Sequence, residues 1–256
     1  MSAPRTIAFE RVSKSFARPG GGPPFEAVRD LSFDIGRGEL VAILGRTGCG
    51  KSTTFNLIAG LIRPSSGRVA VEGHDPFAEF SWFRGKIGIV FQSDRLMPWR
   101  TAIENVALGL ELNKVPAKER LDIAATWLRR LGLGGHEYDY PHALSGGMRQ
   151  RVSIARAFAG KPDILLCDEP FSALDEYTGQ ALREEFRALL RETGATSIFI
   201  THSIDEALWF GARLFVFERP ARIAYEAAIE AGMSEPERAA IRDRIRKVLS
   251  GETASW

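Results

Sequence analysis

The chain is short of cysteine, of net charge and of long apolar runs, and each shortage removes a class of function. Cys49 and Cys167 are the two cysteines in 256 residues, far apart and without metal-ligand spacing. That usage points to a reduced, cytosolic protein and not to a disulfide- or zinc-stapled one. No apolar run approaches the roughly 18 residues that a membrane-spanning helix needs. The longest, 40–44 and 164–167, have the length of buried strands. Met1-Ser2-Ala3-Pro4-Arg5-Thr6 lacks the apolar core of a secretory signal. Such a chain, working at a membrane, does so from outside the lipid. Formal net charge is +2, from 34 basic and 32 acidic residues, so no nucleic-acid partner is expected. There is no internal repeat and no long low-complexity tract, and 45% hydrophobic residues are too many for disorder.

What is present has the order of an α/β protein. Residues 17–24 place Gly20, Gly21 and Gly22 among prolines, which excludes a helix or central strand and predicts a surface loop between two N-terminal strands. Short Val/Ile/Leu-rich runs follow at 40–44, 87–91, 164–167, 197–200 and 214–217. Helical stretches separate several of them, as in a mostly parallel sheet. From about 101 to 131 the period is helical, with Leu121, Ala124, Leu128 and Leu131 on one face. These patterns divide the chain into a discontinuous core of 1–92 and 158–223, a helical insertion at 93–157, and a helical tail at 224–256. In the tail, Ser234-Glu235-Pro236-Glu237 has the form of a capping box, and Ile241, Ile245, Val248 and Leu249 continue one apolar face.

Gly45-Arg46-Thr47-Gly48-Cys49-Gly50-Lys51-Ser52 fits the phosphate-binding pattern G-x-x-x-x-G-K-[ST]. It follows an apolar strand run and precedes a helical stretch, 53–61, closed by Gly60. Glycines let the backbone wrap closely around phosphate oxygens, and the helix N-terminus aims free N–H groups at the anion. Lys51 is expected on the β- and γ-phosphates and the Ser52 hydroxyl on Mg²⁺, with Gly45, Thr47, Gly48, Cys49, Gly50 and Thr53 completing the nucleotide cradle. The alternative is a glycine-rich turn with an incidental lysine, which the flanking strand and helix disfavour. Cys49 reads either as a permitted small loop residue or as a redox-sensitive thiol at a helix N-terminus.

Ile164-Leu165-Leu166-Cys167-Asp168-Glu169-Pro170 is an apolar run ending in two carboxylates, and strand ends deliver side chains to the mouth of an α/β sheet. Asp168 is expected to hold Mg²⁺, and Glu169 to orient and deprotonate the attacking water. The plain alternative is a solvated acidic pair in a turn.

Leu144-Ser145-Gly146-Gly147-Met148-Arg149-Gln150 stands before the helical stretch 151–158. It resembles the signature motif of the ATP-binding cassette (ABC) ATPases, with Met148 in place of the commoner glutamine. The motif order agrees. Val12-Ser13-Lys14-Ser15-Phe16 comes first, then the phosphate loop, Gln92, the signature, Asp168-Glu169, Ser172-Ala173-Leu174-Asp175 and Thr201-His202. The resemblance spans residues 7–223. It implies an α/β P-loop cassette with a mostly parallel sheet, an N-terminal antiparallel β region and an inserted helical subdomain. It also implies ATP and Mg²⁺ as ligands, and a second copy of the chain packed head to tail around two ATPs. A Ser-Gly-Gly helix start is a second anion site, so Ser145, Gly146 and Gly147 would serve the partner's γ-phosphate. By the same resemblance Phe16 stacks on adenine, although a core role at a strand end remains the alternative. Gln92 senses Mg²⁺ and γ-phosphate, Asp175 couples the two sites, and His202 contacts the γ-phosphate and aligns Glu169 with water. His74, His136 and His142 read as structural or surface residues.

Leu96-Met97-Pro98-Trp99, Tyr140-Pro141-His142 and Arg219-Pro220-Ala221-Arg222-Ile223 are similar to the nitrate, sulfonate and taurine importer branch, with Ala221 where glycine is more usual. That branch implies an ATP-hydrolysing subunit on the cytoplasmic face of the inner membrane. Its partners would be permease subunits and, indirectly, an extracytoplasmic solute-binding protein, and those partners choose the solute. The other ABC reading is a non-transport ATPase acting on nucleic acid or ribosomes. It usually brings a second cassette, a coiled coil or a zinc insertion, and this sequence carries none. A kinase or GTPase does not explain Ser145-Gly146-Gly147, and a dead binding module does not explain intact Lys51, Asp168, Glu169 and His202.

Overall fold

Two long strands, β1 (Arg5–Phe16) and β2 (Phe25–Gly36), flank the Gly/Pro stretch 17–24, which is exposed throughout. The computed structural model describes residues 5–172, 174, 176–230 and 232–251. β3 (Leu40–Gly45) runs into the glycine-rich loop and α1 (Lys51–Ile58) leaves it, followed by β4 (Ser66–Val71) and β5 (Ile87–Val90). Then come α2 (Ala102–Leu112), α3 (Ala117–Arg130), α4 (Gly146–Ala159), β6 (Ile164–Asp168) and α5 (Glu176–Thr193). The chain closes with β7 (Thr196–Thr201), α6 (Ile204–Phe210), β8 (Arg213–Glu218), β9 (Arg222–Ala228) and α7 (Glu235–Ser250). Among the described residues no helix is long and apolar enough to cross a membrane. Packing divides the chain into two compact units, Met1–Trp82 with Thr196–Trp256, and Phe83–Ala195.

In the first unit β1 pairs antiparallel with both β2 and β4. β3 lies between β7 and β8 and is parallel to both, while β9 closes the edge antiparallel to β8. Val41 to Leu44 are wholly inaccessible, which is why the β3 run is apolar without alternation: both faces of a parallel strand are covered. Phe9 stacks on Phe33 at 4.5 Å, and Phe33 meets Phe215 at 5.3 Å, joining the antiparallel layer to the parallel one. α7 carries the capping box read from sequence, with Ser234 and Glu237 exchanging bonds. Its Ile245 is buried among Leu44, Leu208, Leu214 and Val216, and Ile241, Val248 and Leu249 pack beside it. The tail is not helical from its start. Residues 222–228 are strand, because β8 turns back on itself and offers β9 a complete ladder from Glu218 to Arg213.

In the second unit β5 and β6 are parallel, with Ile87 level with Ile164 and Val90 level with Cys167. The helical stretch 93–157 lies wholly inside this unit. The pattern from 101 to 131 is two helices. α2 opens on a capping box between Thr101 and Glu104, and α3 starts after Pro116. Proline drives its preceding residue out of the helical region, which separates the two. Ala124, Leu128 and Leu131 are buried, whereas Leu121 is 38% exposed and lies off the packed stripe. A ring ladder holds the helices. Trp127 stacks on Phe158 at 5.6 Å, Phe158 meets Phe186 edge-on at 5.6 Å, and Phe186 meets Phe171 at 5.4 Å.

Candidate active site

The first unit holds the phosphate loop. α1 begins at Gly50, whose φ of +108° belongs to glycine and whose missing side chain matters equally. A Cβ there would stand 2.4 Å from the Ala27 carbonyl and 2.7 Å from the Ala221 methyl. The loop is therefore clamped between β2 and the β8–β9 turn. Among the described residues no side chain caps α1, which leaves its first N–H groups available to an anion. Lys51 is nearly buried, and its ammonium donates to the carbonyls of Gly45 (2.6 Å) and Arg46 (3.3 Å). Cys49 is 3% exposed, and its N–H turns inward to the Arg46 carbonyl. Burial pushes its thiol above the usual cysteine range in spite of Lys51. The side chain is thus a packed thiol and not a reactive thiolate. Cys167 is buried within β6, where burial raises its thiol well above the usual range.

The register of the parallel strands brings His202 to the same sheet edge as the loop. Leu44 is level with Thr201, so β3 and β7 end together and both exit chains lie at the carboxyl edge. The Thr201 hydroxyl donates to Glu206 (2.6 Å) and accepts from the Ser203 N–H (3.0 Å), which shapes the turn around His202. Phe16 pairs across the hairpin with Phe25, only two residues before Ala27 at the clamp. It is 37% exposed, with the Lys14 ammonium 5.1 Å from its ring centroid. Arg219 covers Phe25 at 5.0 Å, which leaves Phe16 as the more open aromatic face of the pair.

The second unit holds the carboxylates. Asp168 ends β6, and Glu169 follows at φ +46°, a left-handed conformation that costs any residue with a Cβ energy and persists only where its surroundings impose it. Gln92 Nε2 donates to Glu169 Oε2 at 3.1 Å. The Glu169 carbonyl accepts from both the N–H (3.2 Å) and the hydroxyl (3.1 Å) of Ser172.

The signature lies in the same unit and is itself the first turn of α4. The helix starts at Gly146, five residues before the stretch read from sequence, because Ser145 caps it by accepting from the Met148 N–H (3.3 Å). Gly146 and Gly147 occupy the first helical positions, where N–H groups have no partner within the helix. Met148 contributes its backbone N–H, a role indifferent to its side chain. Asp175 lies outside the described residues.

Sequence reasoning passed over three residues that organise this unit. Gln150 is buried and donates to the Pro170 carbonyl at 2.6 Å. Arg149 pairs with Asp94 at 2.9 Å, tying α4 to the segment after Gln92. Asn105 is fully buried, donates to the carbonyls of Met97, Arg100 and Thr101, and accepts from the Met97 N–H. A polar residue on an otherwise apolar helix face was the available signal for Asn105 and Gln150.

The ABC transporter family profile matches residues 28–172, from β2 through the phosphate loop and signature to the carboxylate turn. The chain belongs to the ABC transporter family. This ABC protein is 41% identical to the taurine import ATP-binding protein TauB of Rhizobium johnstonii, over 89% of its own length and 90% of the relative's. It is also 41% identical to the nitrate import ATP-binding protein NrtC of Synechococcus elongatus, over 81% of its length but 31% of that larger protein. Among solved structures, the dimeric ATP-binding cassette MJ0796 in a post-hydrolysis state with ADP and Pi matches with a TM-score of 0.78. The two are 33% identical over 88% of this chain and 99% of that one. The α/β cassette fold and ATP hydrolysis in the service of a transporter follow from that membership.

Proposed function

We propose that this ABC subunit powers an importer for a small anionic or related solute, of the taurine, sulfonate or nitrate kind, by hydrolysing ATP between two head-to-tail copies. The observation that carries the catalytic part is the Gln92–Glu169 hydrogen bond at a left-handed turn, which gives one carboxylate a defined direction. Glu169 is the base for the attacking water, a role worth roughly 10²–10⁴ in rate. Gly45, Thr47, Gly48, Cys49, Gly50, Lys51, Ser52 and Thr53 take the phosphates, Phe16 takes adenine, and His202 takes the γ-phosphate. Ser145, Gly146 and Gly147 bind the partner's nucleotide, and Asp175 couples the two sites. The core 1–92 and 158–223 carries the chemistry, 93–157 carries the signature, and 224–256 is the C-terminal tail.

Mg²⁺ is the companion ion in this reading. The Ser52 hydroxyl, the Asp168 carboxylate and the Gln92 amide are hard oxygen donors, the set Mg²⁺ takes beside phosphate oxygens. When bound it neutralises charge on the β- and γ-phosphates.

Import directs the subunit to the cytoplasmic face of the inner membrane, held there by permease subunits that an extracytoplasmic solute-binding protein supplies. The taurine and nitrate import names of the two relatives support that direction. A groove of about 420 Å³ in the second unit, lined by Ile89, Phe91, Met97, Leu108 and Leu112 with Arg84 among them, suits a short permease segment with an apolar face and an acidic residue.

The test is capture of tagged Glu169→Gln protein, with ATP, from gently solubilised membranes. Co-purification of a multi-span permease is the expected result, and that permease identifies the solute. Recovery of ribosomes or DNA-repair proteins alone would overturn the transport reading and leave the ATPase chemistry.

A further inference from the structure

We propose that Gln150 is a positioning residue for ATP hydrolysis, which ties the orientation of Glu169 to the signature helix of the same chain. The inference rests on Glu169 being the base. Gln150 is 4% exposed, and its Nε2 donates to the carbonyl of Pro170, the residue directly after Glu169, at 2.6 Å. Proline has no N–H and a locked φ, so the turn is held through its carbonyls. Ser172 holds the Glu169 carbonyl, and Gln150 holds the Pro170 carbonyl.

The strained backbone makes that grip consequential. Glu169 at φ +46° relaxes unless its neighbours prevent it, and a relaxed turn aims the carboxylate elsewhere. Gln150 lies among the buried Val152, Ser153 and Ile154 of α4. An apolar residue there would fill the same space without dictating a direction, whereas an amide in a low-dielectric site must satisfy a specific partner. α4 also grips the segment of Gln92, a further support of Glu169. Arg149 pairs with Asp94, two residues after Gln92, and Arg156 donates to the Asp94 carbonyl at 2.7 Å. One rigid helix that begins at Ser145 therefore grips both the Gln92 segment and the Glu169 turn. Gln150 stands five residues from Ser145, roughly 7.5 Å along the axis at 1.5 Å per residue. Engagement of the partner's nucleotide at Ser145–Gly147 and alignment of this chain's own base become one event.

The experiment compares the full chain with Gln150→Met, Gln150→Glu, Glu169→Gln and the double variant Gln150→Met/Glu169→Gln. Gln150→Met keeps length without a donor. Gln150→Glu keeps shape and serves if the methionine variant folds poorly. ATP affinity of the monomer and ATP-driven dimerisation should stay within about twofold of the parent, while kcat falls about tenfold or more at unchanged KM. The single-turnover rate of the double variant should match that of Glu169→Gln, because the two residues act as a unit. Unchanged kcat would overturn the proposal. So would losses that multiply in the double variant, or ATP affinity falling together with kcat, since either describes a packing residue. If Glu169→Gln alone turns over at the parent rate, the base assignment itself has failed, and that result is visible without any Gln150 variant.

Discussion

Gln92 Nε2 lies 3.1 Å from Glu169 Oε2 although 77 positions separate the two residues. The cause is register: Val90 and Cys167 are level in the β5–β6 pair, so the residues two further along each strand leave the same edge together. Gln92→Ala removes this donor to the carboxylate. ATP hydrolysis should fall about 10- to 100-fold, within the range a positioned base contributes. Nucleotide affinity titrated without Mg²⁺ should hardly change. A parallel loss of that metal-free affinity would show that Gln92 acts on nucleotide binding and not on the base.

Lys51→Ala should abolish ATP binding and hydrolysis together. The ammonium is folded against the Gly45 and Arg46 carbonyls of the loop. Its removal takes away the charge that draws in the phosphates and a brace of the loop itself. Tight nucleotide binding by the variant, read by equilibrium dialysis, would sink the phosphate-loop assignment.

Ser145→Arg should block hydrolysis and ATP-driven dimerisation while the monomer binds ATP as before. Part of any effect belongs to the helix cap, since the Ser145 hydroxyl accepts from the Met148 N–H. Loss of a serine cap costs about 1 kcal/mol. Ser145→Ala isolates that share, and only the excess in the arginine variant reports on the partner's nucleotide. Equal loss of monomer binding would mean that the signature does not act in trans.

Asn105→Ala should destabilise the second unit without touching the phosphate loop. Asn105 satisfies three carbonyls and one N–H around residues 97–101. Buried polar groups left unpaired cost about 1–3 kcal/mol. A melting temperature lower by several degrees, with nucleotide affinity retained, is the expected pair of results in calorimetry and titration.

The helical period across 101–131 concealed a break that one residue announced. α2 ends at Leu112 and α3 opens after Pro116, and Leu121, Ala124, Leu128 and Leu131, which carry the helical rhythm, all lie beyond the break. Leu121 proved half-exposed because periodicity states which residues share a face, not which part of the face is covered. The strand at 222–228 was hidden for a related reason. Arg222 to Ala228 has little strand character of its own and is a strand because β8 offers it a ladder.

What the sequence determined by itself was everything encoded in contiguous residues. The phosphate loop, the strand runs at 40–44 and 164–167, the Ser145-Gly146-Gly147 helix start and the Ser234 capping box each carry their geometry in backbone chemistry spanning a few positions. Tertiary structure decided the rest. It placed Gln92 on Glu169, set Gln150 on Pro170, and turned the Cys49 thiol into packing. Strand register and burial are sums over partners distant in the chain, and no local spacing records which carbonyl a buried amide will face.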